Sequence, residues 1–216
     1  RIGSAGQIGL GGANYGTSGQ VLTSNGSSSA PTWQTAGGGA WTLISTISPS
    51  NASTASFTSG ISSTYDTYVV VGSKIQPAGS DNFNQMMMRF STDGGSSYIS
   101  SNTYKTIEGN SATSSAVISG ESSIKVGQNT TGVSSNAATS LGFKVFFTNL
   151  ASSSLYKTGY GESLSTYVNG GNNTLRYYSF GFANTTTSAI NAIQFYFGDS
   201  VNISDGEFRL YGINNS

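Results

Sequence analysis

Apolar residues recur mainly at every second position, in short runs separated by clusters of Gly, Asn, Asp and Ser. Leu141, Phe143, Val145 and Phe147 fall on one side of such a run, with Lys144 and Thr148 on the other. Ile193, Phe195 and Phe197 oppose Gln194 and Tyr196 in the same way. A period of two sends alternate side chains to opposite faces, so these runs predict strands with one buried face. The predicted strands are Trp41–Ile47, Tyr68–Gln76, Met86–Ser91, Leu141–Thr148, Leu155–Gly161, Leu175–Ala183, Ala192–Phe197 and Phe208–Ile213. Asp93-Gly94-Gly95, Asn169-Gly170-Gly171-Asn172 and Asp205-Gly206 supply turns between them. No stretch carries a helical period with caps. The prediction is an all-β chain, an antiparallel β-sandwich or jelly roll. Asn110–Ser115 and Gln128–Thr139, nearly all small and polar, are expected to be long surface loops.

The first forty residues have a different texture. They are Gly-rich, and their large apolar residues are scattered: Ile2, Ile8, Leu10, Tyr15, Val21, Leu22 and Trp33. Gln20–Ser24 and Pro31–Gln34 flank Asn25-Gly26 and a Ser-rich link, which predicts a small hairpin. Such a hairpin cannot bury Val21, Leu22 and Trp33 against itself, and packing against further copies around a symmetry axis solves the problem. Ile8, Leu10, Tyr15, Val21, Leu22 and Trp33 are therefore the candidate contacts between copies. Gly37-Gly38-Gly39 reads as a hinge. The expected division is residues 1–40, a Gly-rich segment with a hairpin, and residues 41–216, a jelly-roll-like domain.

Composition narrows the functional classes. The chain has 216 residues, enough for a core without staples in the larger part. Charged residues are 8%, far below the usual quarter, so Ser, Thr, Asn and Gly must form the polar surface. Aromatics at 12%, with 12 Tyr and 11 Phe, argue for a packed chain over a disordered one. Nine basic and nine acidic residues leave no net charge, which argues against nucleic acid and against an electrostatic membrane anchor. No apolar run approaches the length of a transmembrane helix. The chain starts at Arg1 and lacks a signal-peptide core, so an upstream segment is expected.

The absence of His and Cys removes the Ser-His-Asp triad, thiol nucleophiles and His- or Cys-based metal sites. No cofactor or metal is expected. Only carboxylate chemistry is left, through Asp66, Asp81, Asp93, Glu108, Glu121, Glu162, Asp199, Asp205 and Glu207. A glycan depolymerase would need two of these facing each other across a cleft. Most of them sit beside Gly, Asn or Ser in apparent turns, so the chain is read as a binding protein and not an enzyme. In Tyr177-Tyr178 one ring must face in and the other out. An outward tyrosine near Arg176 or Asn172 would offer a flat amphipathic surface to a sugar ring, and Asn172, Arg176 and Tyr178 are the candidate receptor contacts. Ser91-Thr92-Asp93-Gly94-Gly95-Ser96-Ser97-Tyr98 resembles the Asp-box of sialidases, with Tyr98 where that box ends on Trp. In those families the box is a hairpin device, and here Asp93 is read as an Asx-turn residue between Met86–Ser91 and a following strand.

The segment Gly11 to Gly26, with its core Gly16-Thr17-Ser18-Gly19-Gln20-Val21-Leu22-Thr23-Ser24-Asn25-Gly26, followed by Pro31-Thr32-Trp33, resembles a module of phage tail fibres, especially those of marine cyanophages. The stretches Phe57–Ile61, Thr64–Tyr68 and Ser91–Tyr98 are similar to the C-terminal domain that follows this module. The resemblance implies a homotrimer, with residues 1–40 as its fibre and trimerisation segment, Ile8, Leu10, Tyr15, Val21, Leu22 and Trp33 as the candidate trimer contacts, and residues 41–216 as an outward-facing distal domain. It also implies a virion location after assembly in the host cytoplasm and contacts with other tail proteins. It carries over no catalytic residue. The expected function is the distal part of a trimeric fibre binding a host-surface receptor, a glycan or outer-membrane component, by multivalent weak contacts. The alternative is a capsid decoration protein, head fibre or collar component without receptor specificity; a carboxylate depolymerase ranks below both.

Overall fold

A computed structural model describes residues 8–10, 14–36, 39–79, 85–100, 103–110, 113–127, 138–169, 172–198 and 200–213; for 108–110, 113–119, 167–169 and 172–173 it describes the backbone alone. The chain forms two compact units, Arg1–Ala40 and Trp41–Ser216. In the first, β1 (Gln20–Thr23) and β2 (Thr32–Thr35) make an antiparallel hairpin with Leu22 opposite Trp33. Asn25 Nδ2 ties the link by donating to the Ala30 carbonyl at 2.8 Å and to Thr32 Oγ1 at 3.1 Å. Trp33 lies over Gly16 and donates from Nε1 to the Asn14 carbonyl. Gly16 has φ +69°, and a β-carbon there would fall 2.8 Å from the indole, so both conformation and contact require glycine.

The second unit carries β3 (Trp41–Ile47), β4 (Ala55–Phe57), β5 (Thr67–Pro77), β6 (Met86–Ser91), β7 (Tyr104–Asn110), β8 (Thr113–Glu121), β9 (Ile124–Lys125), β10 (Leu141–Thr148), β11 (Lys157–Asn169), β12 (Asn172–Asn184), β13 (Ala192–Phe197) and β14 (Ile203–Ile213). They build two antiparallel sheets, of order β3-β14-β5-β10-β11-β12-β7-β8 and β4-β13-β6-β9. Set aside two hairpins, β7/β8 and β11/β12, and the other strands run first-last-third-sixth in one sheet and second-seventh-fourth-fifth in the other. That is the jelly-roll order, in which the chain crosses between sheets as two Greek keys are formed. The two hairpins come from different crossovers and meet edge to edge, β12 on β7, so they widen only one sheet.

The strand faces explain the packing. Leu141, Phe143, Val145 and Phe147 are buried between the sheets, as their alternation predicts. Phe143 packs on Phe195 and Phe208, and Phe90 on Phe147 and Phe182, with ring centroids 5.3–6.1 Å apart. Gly159 and Gly161 leave the inner side of β11 bare, and the rings of Phe182 and Phe180 cover it. Buried Tyr68 donates to the Ser62 carbonyl and accepts from its N–H, so its hydroxyl is satisfied. Lys157 is fully buried, and its ammonium donates to the carbonyls of Ser152 (2.5 Å), Leu155 (2.7 Å) and Thr187 (3.2 Å).

Several expectations need correction. Asn110–Ser115 is no long loop: Asn110 closes β7 and Thr113 opens β8 opposite it. Of Gln128–Thr139, residues 128–137 lie outside the described residues. Asp205-Gly206 is a bulge inside β14, where Gly206 at φ +135° lies close to Ile75 of β5. β11 and β12 extend well beyond Leu155–Gly161 and Leu175–Ala183, pairing from Lys157–Asn184 to Asn169–Asn172.

Candidate functional site

The inner face of the eight-stranded sheet is covered by the smaller sheet, and its outer face carries an apolar row. Cross-strand pairing places Leu43, Tyr211, Val69, Phe146, Tyr160, Gly181 and Ile107 side by side on seven consecutive strands. At the usual strand spacing the row is about 29 Å long. Among the described residues of the second unit, Trp41, Leu43, Ile107, Tyr160, Leu164, Leu175 and Tyr177 are large exposed hydrophobics on this one face, joined by only Leu155 and Tyr156 elsewhere. Trp41 stands over the row, edge-on to Phe146 at 5.8 Å and tilted on Tyr211 at 5.7 Å. An apolar patch of this extent on a sheet marks a contact surface.

Gly181 leaves a notch between Tyr160 and Ile107. Around it lies a depression of about 580 Å³, lined by Ile107, Lys144, Phe146, Tyr160, Glu162 and Tyr177 among others. Phe146 and Tyr160 are cross-strand partners whose rings stack at 5.0 Å, 13° from parallel. Beside them Lys144 and Glu162 are the next cross-strand pair, 3.1 Å apart, and Tyr177 donates its hydroxyl to the other Glu162 oxygen at 3.2 Å. The Lys144 hydrogen bond and charge, with the Tyr177 hydroxyl, hold the Glu162 carboxyl below its ordinary range. A floor of aromatic faces with a few fixed polar groups is the chemistry that stacks and hydrogen-bonds a sugar ring. Among the described residues Glu162 is the one acid lining the depression, so no pair of described carboxylates for glycoside hydrolysis meets there. Among the described residues, no three acids come together as a metal cluster.

The anticipated contacts are distributed differently. Tyr178 is buried and stacks on Phe180 at 5.4 Å, so it is not a receptor contact; the ring that faces outward is Tyr177. Arg176 shares the inward face of β12 with Tyr178 and is half-buried against the sandwich. The Asn172 side chain lies outside the described residues. Phe180 and Phe182, alternating with Ser179 and Gly181, set this phase: counting back from them puts Tyr178 inside and Tyr177 outside. The role of Phe146, Tyr160 and Glu162 depended on the pairing of β10 with β11 and was not written in any one segment. In the first unit, Ile8, Val21 and Leu22 are exposed, while Leu10, Tyr15 and Trp33 are half-buried.

On the smaller sheet, Asp93 organises the loop after β6. Its carboxylate accepts from Ser91 Oγ (2.7 Å), Ser97 N–H (2.9 Å) and Ser97 Oγ (2.6 Å), and these bonds bring its pKa down to about 2. Asp93 shapes a turn, but not the expected Asx turn: its carboxylate accepts from the N–H four residues on, while Gly95 N–H, two residues on, donates to Ser91 Oγ. The chain then runs to Ile99, bonded back to Phe90, and not into an adjoining strand. No protein-family model, no curated protein and no solved structure matches the chain.

Proposed function

We propose that this chain is the distal part of a homotrimeric phage tail fibre that binds a glycan on the host surface. The aromatic depression of the eight-stranded sheet carries the reading: stacked Phe146 and Tyr160, outward Tyr177, and the Lys144–Glu162 pair offer apolar ring faces and fixed hydrogen-bonding groups together. The site is shallow, which suits weak single contacts multiplied over three copies. The exposed Ile8, Val21 and Leu22, with Leu10, Tyr15 and Trp33, are the residues for the contacts between copies. The chain acts by binding and not by catalysis, on the virion, alongside other tail proteins.

The test is a glycan array probed with the chain, followed by calorimetric titration of the hits. Tyr160→Ala and Tyr177→Ala are each expected to weaken binding about tenfold, the loss of one stacking contact. Unchanged affinity in both folded variants, or no binding to any glycan or to host envelope material, contradicts the proposal.

The length of the apolar row favours a second reading, in which the face is packed against a neighbouring virion subunit and the chain is a decoration, head-fibre or collar component. Leu164→Glu and Leu175→Glu separate the two. They dissolve an assembly held through this face and leave one held through the first unit intact.

A further inference from the structure

The outer face of the four-stranded sheet holds a guanidinium in an unusual setting. Arg89 of β6 stands opposite Gln194 of β13, and its Nε donates to Gln194 Oε1 at 2.7 Å. Gln194 in turn donates from Nε2 to Ser56 Oγ at 3.1 Å, which fixes which end of the amide meets the arginine. The rings of Tyr98 and Tyr196 flank the guanidinium, with centroids 5.1 and 4.8 Å from its central carbon. All three side chains are half-buried. The guanidinium is therefore held from its Nε side and by two ring faces. Among the described residues no carboxylate or carbonyl takes up its two terminal nitrogens. The chain's described ion pairs, Lys144 with Glu162 and Arg209 with Glu207, show the opposite arrangement, a cation neutralised by its neighbour on the sheet.

The serine-rich loop built by Asp93 explains how Tyr98 comes to be there. Its neck is closed where Ile99 N–H donates to the Phe90 carbonyl at 2.8 Å. The buried Tyr104 hydroxyl bridges the same two residues, accepting from Phe90 N–H at 2.8 Å and donating to the Ile99 carbonyl at 3.3 Å. Asn191, just ahead of β13, braces the loop from the side: it accepts from Gly94 N–H at 2.8 Å and donates to the Thr92 carbonyl at 3.2 Å. With the Asp93 bonds to Ser91 and Ser97, the loop is tied at its neck, centre and flank. The residue it delivers is Tyr98, onto Arg89.

We propose that Arg89, Tyr98 and Tyr196 form a second binding site, distinct from the depression on the large sheet, that takes the carboxylate of an acidic sugar. A guanidinium with its two terminal N–H groups available matches a planar carboxylate in a bidentate pair. The two tyrosine rings beside it give apolar surface to the pyranose that bears the carboxylate, and their hydroxyls are donors for its oxygens. A lysine would supply the charge without the fork, and an unsupported arginine would lose entropy on binding that this one has already lost. The assignment of the carboxylate to a sugar rests on the glycan-binding reading; the oxyanion clamp itself does not.

The test is calorimetric titration of the whole chain with a galacturonate trisaccharide, a neutral galactose trisaccharide, acetate and inorganic phosphate. The acidic trisaccharide is expected to bind with a Kd on the order of 1 mM, about tenfold tighter than the neutral one, and to weaken with added salt. Arg89→Gln is expected to abolish that preference and Arg89→Lys to recover only part of it. Since Arg89→Gln could also disturb the sheet, Tyr98→Ala, on a loop outside the core, serves as a second variant and is expected to weaken the acidic trisaccharide by about threefold or more. Equal affinity for the neutral trisaccharide, acetate or phosphate overturns the proposal, as does an acid preference that survives Arg89→Gln. Failure of the acidic sugar alongside array binding that depends on Tyr160 would overturn this site and leave the glycan reading standing.

Discussion

Asp93 accepts three hydrogen bonds from two serines while it is open to solvent, and the consequence is a pH dependence with a definite sign. Its carboxyl is lowered from 3.8 to about 2, chiefly by Ser97 and Ser91. A depressed folded-state pKa contributes stability that is fully present above the unfolded value and is lost as pH falls through the folded one. The loop is therefore expected to hold from neutral pH to about 4 and to loosen toward pH 2, read from the Ser97 amide shift in an NMR titration. Asp93→Asn removes that dependence. Lys157 is the opposite case, a cation enclosed by protein. Burial pushes its pKa down, while three carbonyls need its three N–H donors. Lys157→Met keeps the volume and strands those carbonyls, so it is expected to cost about 3 kcal/mol in denaturant unfolding. The sequence showed Asp93 as a turn former because its neighbours are Gly and Ser. It could not show Lys157, whose partners come from two separate loops, nor the Tyr98–Arg89–Tyr196 cluster, assembled from two strands and a loop.

At the scale of elements, alternation of large apolar residues was a sufficient signal. Trp41–Ile47, Met86–Ser91, Leu141–Thr148 and Ala192–Phe197 begin and end where their pattern does. Ala55–Phe57, Tyr104–Asn110 and Thr113–Glu121 were not legible. They are short or rich in Ser, Thr and Gly, and among the described side chains of β7 the buried ones are Tyr104 and Thr106 while Ile107 faces out. Such strands are held by their neighbours more than by their own pattern. β11 also needs its glycines. A β-carbon at Gly159 would meet the Phe146 carbonyl oxygen and the Phe182 ring, while one at Gly142 has only a single neighbour, at 3.8 Å. Gly159→Ala is expected to destabilise by about 2 kcal/mol, and Gly142→Ala to fall within about 0.5 kcal/mol of the parent by thermal or denaturant melts.

For the whole molecule, the low charge reads differently once the sheets are assembled. Two hairpins added to a jelly roll widen one sheet, and the added strands supply Tyr160, Leu164, Leu175, Tyr177 and Ile107 to a face that would otherwise be narrow. The first unit leaves Ile8, Val21 and Leu22 uncovered, and a trimer is expected in light scattering. Leu22→Asp combined with Val21→Asp is expected to shift it to monomer, and a monomeric parent chain would contradict the axis packing. The central claim is that the wide face recognises a glycan through its aromatic depression. Ring-proton NMR of the chain titrated with its best array ligand tests this directly. The account predicts shifts concentrated at Phe146, Tyr160 and Tyr177; saturable binding that leaves these three rings unmoved would contradict it.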